Sequence, residues 1–352
     1  MKGNVMPLPD AVRAFEVTTG RLRARVLESG SVDSPTLVLV HGNVSSARFF
    51  AESMVELGRR WHCVAVDLRG FGGSEPVPVV ASRGIQDFSD DLHAVLSEGL
   101  GVGPVHLLGW SLGGAVVMRY AMDHPVASLV LESPMSPFGF GGTKDAEGTP
   151  CWPDFAGSGG GTANPELVRR LAAGDRSDED ATSPRNVLTT LYVAPPFSSA
   201  VVDDLVDGMV EMAIGDDHYP GDAVASENWP GTAPGERGVN NAISPKYCDL
   251  SDFGDVVDGP EVMWIRGDAD QIVSDTSLVD FGYLGQIGAV PGWPGVEVFP
   301  PQPMIQQIRT VLDRYGRYSE RVFAGCGHSP HLERPAEFVA LVDDFLAARV
   351  GA

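Results

Sequence analysis

Short apolar runs alternate with stretches of helical periodicity along most of this chain. Leu37 to Val40, Val64 to Val66, Val105 to Leu108, Ser128 to Leu131, Val262 to Ile265 and Val322 to Ala324 have the length of strands, and the continuous apolar ones suit strands covered on both faces. Between them Phe50, Met54, Leu57 and Trp61 recur at helical spacing. So do Phe88, Leu92, Val95 and Leu96, then Val116, Val117, Tyr120 and Ala121, and finally Phe338, Leu341, Val342, Phe345 and Leu346. Near the start, Phe15 to Thr18 and Leu22 to Val26 flank a Thr-Gly turn and predict an antiparallel hairpin. Strands alternating with helices predict an α/β fold built on a mostly parallel sheet.

The pattern breaks after the Ser128 run. From Pro134 to Asp255 the chain is rich in Gly, Pro, Ser and Asp, with Gly139 to Gly142, Gly157 to Gly161 and Trp229-Pro230-Gly231 as breakers. Helical spacing shows only near Glu166 to Leu171 and Val201 to Met212. The expected organisation is a core of residues 1–134 and 256–352 with an inserted cap at 135–255. Its placement follows from where it starts, just past a strand whose carboxyl end faces the site of parallel α/β sheets. A second long connection, Ile272 to Ser319, carries Trp293 and Phe299 before a helix with Ile305, Ile308 and Leu312. Its aromatics either wall a pocket or pack a local subcore.

Composition narrows the partners. The 352 residues carry a formal charge of −22, which argues against nucleic acid or an anionic membrane as partner. Apolar content is 43%, and no apolar run is long enough to span a bilayer. Met1 to Val5 lack the apolar core of a secretory signal, so a cytoplasmic protein is expected. Cys63, Cys151, Cys248 and Cys326 stand far apart without C-x-x-C spacing and suggest neither a zinc site nor a disulfide framework; a Cys151 to Cys248 bridge stays open. No metal or other cofactor is expected.

Candidate chemistry centres on Gly109-Trp110-Ser111-Leu112-Gly113, a G-x-S-x-G turn between a strand and a helix. Such a turn is so tight that side chains two residues either side of the serine would clash, which Gly109 and Gly113 avoid. A serine becomes nucleophilic only with a base and an orienting carboxylate. Asp270 stands beyond the Val262 strand, and His328 follows in the Gly325-Cys326-Gly327-His328 loop, giving the chain order Ser, Asp, His. Asp268 and Glu132 are rival acids, and His41, His124 and His331 are rival bases. A His328 and His331 zinc pair lacks further ligands.

Four separated motifs resemble the α/β-hydrolase superfamily, specifically its serine-nucleophile, esterase- and lactonase-like members. They are His41-Gly42 after a strand, Asp67-Leu68-Arg69-Gly70-Phe71-Gly72-Gly73-Ser74, the Ser111 turn, and the Gly-x-Gly-His loop extended by Glu333 and Pro335. The resemblance covers nearly the whole chain apart from the insertions. It implies an eight-stranded, mostly parallel sheet with helices on both faces, a lid, and acyl chemistry by Ser111, His328 and Asp270, the last selected by the family's G-x-x-D spacing from Gly267. It further implies an oxyanion hole from the backbone N–H groups of Leu112 and Asn43, with Val44 as the alternative second donor. The Asn43 side chain either donates as well or caps the turn.

The reaction so implied is cleavage of a small-molecule carboxylic ester or lactone. C–C, amide and thioester hydrolysis use the same residues, and a receptor that keeps the fold without turnover is the reading from another class. A serine at position 111, where epoxide hydrolases and haloalkane dehalogenases need a carboxylate, argues against those enzymes. Val44, Trp110, Phe138 and Trp152 are the candidate pocket residues, with Phe140, Phe155 and Trp229 further aromatics of the cap.

Overall fold

The apolar runs pair into one sheet. In the computed structural model, which describes residues 7–350, the strands are β1 (Arg13–Thr18), β2 (Arg23–Ser29), β3 (Thr36–Val40), β4 (His62–Val66), β5 (His106–Trp110), β6 (Ser128–Glu132), β7 (Glu261–Gly267) and β8 (Tyr318–Phe323). Their spatial order is β1-β2-β4-β3-β5-β6-β7-β8. The β1–β2 hairpin is antiparallel and joins β4 antiparallel, whereas every neighbouring pair from β4 to β8 is parallel. Met1 to Val5 lie outside the described residues.

Leu37 to Val40, Leu107, Leu108 and Leu129 to Leu131 are fully buried, which is why their runs carry no polar interruption. The longer helices are α1 (Ala51–Leu57), α2 (Gln86–Ala94), α3 (Leu112–Asp123), α4 (Pro165–Ala172), α5 (Val202–Val210), α6 (Met304–Tyr315) and α7 (Pro335–Ala347). Among the described residues, no helix is long and apolar enough to cross a membrane.

Most strand ends lie a residue or more from the sequence reading, and two differences have a clear physical cause. The last strand runs over Tyr318–Phe323 rather than from Val322, because β8 is an edge strand with partly exposed faces and therefore no continuous apolar run. Trp61 lies outside α1, in the bend before β4, where its indole N–H donates to Asp343 of α7 at 2.8 Å. All four cysteines are free thiols, so Cys151 and Cys248 are not bridged.

The segment between β6 and β7 carries α4, α5 and two small ribbons, Ile214–Gly215 with Tyr219–Pro220 and Ala223–Ala225 with Thr232–Pro234. It meets the core through an ion pair between Arg48 and Asp204 and a bridge between Phe71 and Met212. Trp229 packs edge-on against Phe281 and Phe299, with centroids 6.0 and 4.9 Å apart, and its indole N–H donates to the Pro291 carbonyl. The aromatics of the second long connection thus build a local subcore with the first.

Because β3, β5, β6, β7 and β8 run parallel, the loops that follow them share one edge of the sheet. Val40 pairs with Gly109, Trp110 with Glu132, and Glu132 with Ile265, so His41, Ser111, Ser133 and Asp268 leave the sheet side by side.

Candidate active site

Ser111 occupies the turn between β5 and α3 at φ +57°, a left-handed conformation that costs energy outside glycine. The packing around it explains the glycines. A Cβ at Gly109 would stand 2.3 Å from the Gly113 carbonyl oxygen, and one at Gly113 would stand 2.1 Å from that of Val40. The Ser111 N–H donates to the Glu132 carbonyl at 3.0 Å, tying the turn to the end of β6. Leu112 is the first residue of α3, where a backbone N–H has no carbonyl within the helix to bind. Ser111 is 9% exposed.

His328 and Asp270 meet. The His328 Nδ1 donates to Asp270 Oδ2 at 2.8 Å, and Asp270 Oδ1 accepts the N–H groups of Ile272 and Val273 at 2.7 and 3.0 Å. Both residues are buried. With the proton on Nδ1, the opposite nitrogen, Nε2, is free to accept one. The loop carrying His328 is held from below, since the Trp110 indole N–H donates to the His328 carbonyl at 2.9 Å. It is also held by Glu333, whose Oε1 accepts the Gly327 N–H at 2.8 Å. Burial pushes the Glu333 carboxyl up from its ordinary value.

The rivals go elsewhere. Glu132 Oε1 accepts both the backbone N–H and the ring Nδ1–H of His331, at 2.9 and 2.8 Å. Asp268 Oδ1 accepts the Gly325 N–H at 2.6 Å. His124 stacks on His93 with centroids 3.8 Å apart. His41 is fully buried, and desolvation lowers its pKa. Its Nε2 accepts the Leu68 N–H at 3.0 Å, so its proton sits on Nδ1 and is donated to the Gly42 carbonyl at 2.8 Å.

The D-x-R-G turn is structural. Asp67 accepts the N–H groups of Ala47 and Gly73, and Arg69 grips both carboxylate oxygens of Asp91 at 2.6 and 2.7 Å.

In the loop after β3, both ends of the Asn43 side chain are engaged. Its Oδ1 accepts the Val44 N–H at 3.1 Å, and its Nδ2 donates to Asn240 Oδ1 at 3.0 Å. The Asn43 side chain therefore caps the turn, and the Val44 N–H is occupied. Val44 itself sits at φ +48°, strained for a β-branched residue. Gly42 lies against the nucleophile turn, where a Cβ would be 3.0 Å from that of Ser111.

Of the candidate pocket residues, Trp110 is fully enclosed, stacked on Phe49 and set between the rings of His328 and His331. Phe138 lies against Gly148 of its own segment. Trp152 is half-buried, with its indole N–H unpartnered. Among the described residues no group of three or more His, Cys, Asp or Glu is placed to hold a metal ion.

Two contacts escaped the sequence reading. Tyr192 donates its hydroxyl to the Asn43 carbonyl at 2.8 Å, and Asn240 holds the Asn43 amide. Neither lies in a periodic stretch, so nothing in the pattern singled them out.

Comparison with known proteins gives this geometry a family. The model of the alpha/beta hydrolase family matches residues 37–341. The chain is similar to the magnesium-chelatase 30 kDa subunit of Rhodobacter capsulatus, 33% identical over 106 residues, or 30% of this chain and 36% of that one. It is also similar to carboxylesterase YbfK of Bacillus subtilis (strain 168), 29% identical over 132 residues, or 37% of this chain and 44% of that one. The chain thus spans less than half the length of these relatives. The crystal structure of the same carboxylesterase superposes with a TM-score of 0.62 at 16% identity, covering 97% of this chain and 93% of that one. That of an N-acyl homoserine lactonase, AidH, gives a TM-score of 0.57 at 19% identity, covering 97% and 98%. At these identities the structural likeness establishes the fold. With the family model matched over most of its length and the eight-stranded, mostly parallel sheet in place, the chain belongs to the α/β hydrolase family.

Proposed function

We propose that this protein is a serine hydrolase that cleaves a carboxylic ester or lactone through an acyl-enzyme on Ser111. The observation that carries the reading is the His328 Nδ1 to Asp270 Oδ2 hydrogen bond of 2.8 Å on the sheet edge that also presents Ser111 in a strained turn. His328 Nε2 takes the Ser111 proton as the hydroxyl attacks the carbonyl carbon, then returns it to the leaving alcohol. Asp270 fixes the tautomer and stabilises the imidazolium. Water, deprotonated by the same nitrogen, releases the acid.

Negative charge on the tetrahedral oxygen falls to two backbone donors, Leu112 and Asn43. Leu112 opens a helix, and the occupied Val44 N–H favours Asn43 as the second donor. Each such donor is worth about 100- to 1,000-fold in rate. The segment at 135–255 serves as a cap over this edge, supported by its contacts with Asn43 and with the His328 loop. Ester and lactone chemistry matches the carboxylesterase and lactonase named among the similar proteins.

Turnover of p-nitrophenyl esters from acetate to dodecanoate, with a small lactone panel, tests the reading beside Ser111→Ala. Wild type should turn over members of the panel and take a fluorophosphonate label, and the variant should do neither while keeping its fold. Labelling that persists in Ser111→Ala would remove Ser111 from the role of nucleophile.

A further inference from the structure

Two residues of the β6–β7 segment, Tyr192 and Ala194, bond to the loops on both sides of Ser111, and Val193 between them packs against Gly327. On one side the Tyr192 hydroxyl donates to the Asn43 carbonyl at 2.8 Å. On the other, Ser329 Oγ donates to the Tyr192 carbonyl at 2.7 Å, and the Ala194 N–H donates to Glu333 Oε2 at 2.9 Å. The other oxygen of Glu333 holds Gly327, beside His328. The fit leaves no slack, since a Cβ at Gly327 would stand 2.6 Å from the Ala194 nitrogen and 2.8 Å from the Val193 carbonyl carbon. The Tyr192 ring is buried edge-on to His328 and Trp110, with centroids 6.1 and 5.8 Å away.

The hydroxyl does more than fill space. Asn43 sits between two peptide units. The carbonyl of the one before it, at Gly42, is held by His41 Nδ1 and Ser45 Oγ, each at 2.8 Å. The carbonyl of the one after it is held by Tyr192. Next in the chain, Val44 occupies a left-handed conformation that a β-branched residue leaves unless its surroundings hold it. Tyr192 supplies a hold on that strained turn from outside the β3 loop.

The geometry points to Tyr192 as a positioning residue: closure of the 192–194 strap aligns the Asn43 N–H and the His328 loop together, so that the site is complete only when the segment is seated. This rests on the proposed serine hydrolase reading. It assigns the strap to rate rather than to substrate affinity, because its polar groups are spent on the two loops.

Tyr192→Phe removes one oxygen and keeps the buried ring. The expected result is a fall in kcat of about 10- to 100-fold, the range for small misplacement of reacting groups, with KM nearly unchanged. The rate of fluorophosphonate labelling of Ser111 should fall in parallel, since phosphonylation develops the same negative oxygen. Ser329→Ala, which frees the other side of the strap, should lower kcat in the same manner and decides the matter should Tyr192→Phe fail to fold. In a Val44→Gly background, where the turn is no longer strained, the effect of Tyr192→Phe should shrink. Unchanged kcat and labelling in the folded variants, or a rise in KM alone, would overturn the proposal. Failure of the underlying reading looks different: the wild type itself would then take no label at Ser111.

Discussion

His328 and His331 stand three residues apart, and each gives its Nδ1 to a buried carboxylate at 2.8 Å. By residue type and distance the two pairs are equivalent, yet their surroundings differ. Asp270 spends its second oxygen on two backbone N–H groups, in a loop at the sheet edge that also presents Ser111. Glu132 and His331 are wholly enclosed, with Glu132 Oε2 and His331 Nε2 lacking partners and the rings of Phe50, Trp110 and Phe338 closing around the imidazole. A base is useful only if its far nitrogen reaches a reactant. The second pair instead pins the loop, because Glu132 also takes the His331 backbone N–H.

The sharpest way to break this comparison is to neutralise each carboxylate in turn. Asp270→Asn should reduce kcat by about 10,000-fold, through loss of the tautomer and of the charge facing the imidazolium. Glu132→Gln keeps an oxygen in place for both His331 donors and should cost less than about tenfold, the scale of one ordinary hydrogen bond. Steady-state kinetics on the preferred ester would settle the ranking, and the reverse order would move the acid role to Glu132.

Stability should rank the pairs the other way. Glu132→Ala leaves two buried donors of His331 without an acceptor, and each buried donor left unsatisfied costs about 1–3 kcal/mol. Urea denaturation should show that loss while the surviving folded fraction still labels at Ser111. A Glu132→Ala variant as stable as wild type would mean that the pair is not a structural pin.

A third enclosed carboxylate shows what burial does without an imidazole. Asp280 is 1% exposed, its Oδ2 accepts the N–H groups of Tyr283 and Gln302, and its Oδ1 has no partner. Desolvation raises its pKa from 3.8 to about 6. The folded carboxyl therefore holds its proton more tightly than the unfolded one. Its contribution is fully present below 3.8 and is lost as pH rises toward about 6, amounting to about 3 kcal/mol at neutral pH. Asp280→Asn should recover much of that above pH 6 and flatten the stability profile between the two values. Unfolding midpoints measured across that window would check it, and an unchanged slope would show that Asp280 does not titrate there.

The sheet was readable because its central strands are buried on both faces and so leave unbroken apolar runs; β8, exposed at the edge, leaves none. The placement of Ser111, Asp270 and His328 at one sheet edge was readable because tight turns at strand ends demand glycines at fixed offsets, and these mark the neighbouring polar residue. The partner of Glu132 was not, since His331 lies 199 residues away and no local pattern records a pairing made only by the fold. Tyr192 is hidden for a related reason. It ends a short helical turn in a Gly- and Pro-rich stretch, and its bond is to a backbone carbonyl that every residue at position 43 would supply.

Asn43 extends the contrast between the pairs to a residue that does not titrate. Like Glu132 it has the right chemistry in the right place, and like Glu132 Oε1 its side-chain oxygen is already engaged, here with Val44, while its amide nitrogen is taken by Asn240. If only its backbone N–H faces the reacting oxygen, Asn43→Ala removes a turn cap and one contact to the β6–β7 segment. The loss of rate should then stay below about tenfold, against the 100- to 1,000-fold expected for a lost oxyanion donor. The Val44 N–H is the atom to watch. Freed of Asn43 Oδ1, it becomes available as a second donor, and it can offset part of the disorder introduced into the turn. A loss near a thousandfold in kcat with the melting temperature unchanged would reverse the assignment and make the side-chain amide the working donor, which would require the Asn240 contact to open when substrate binds.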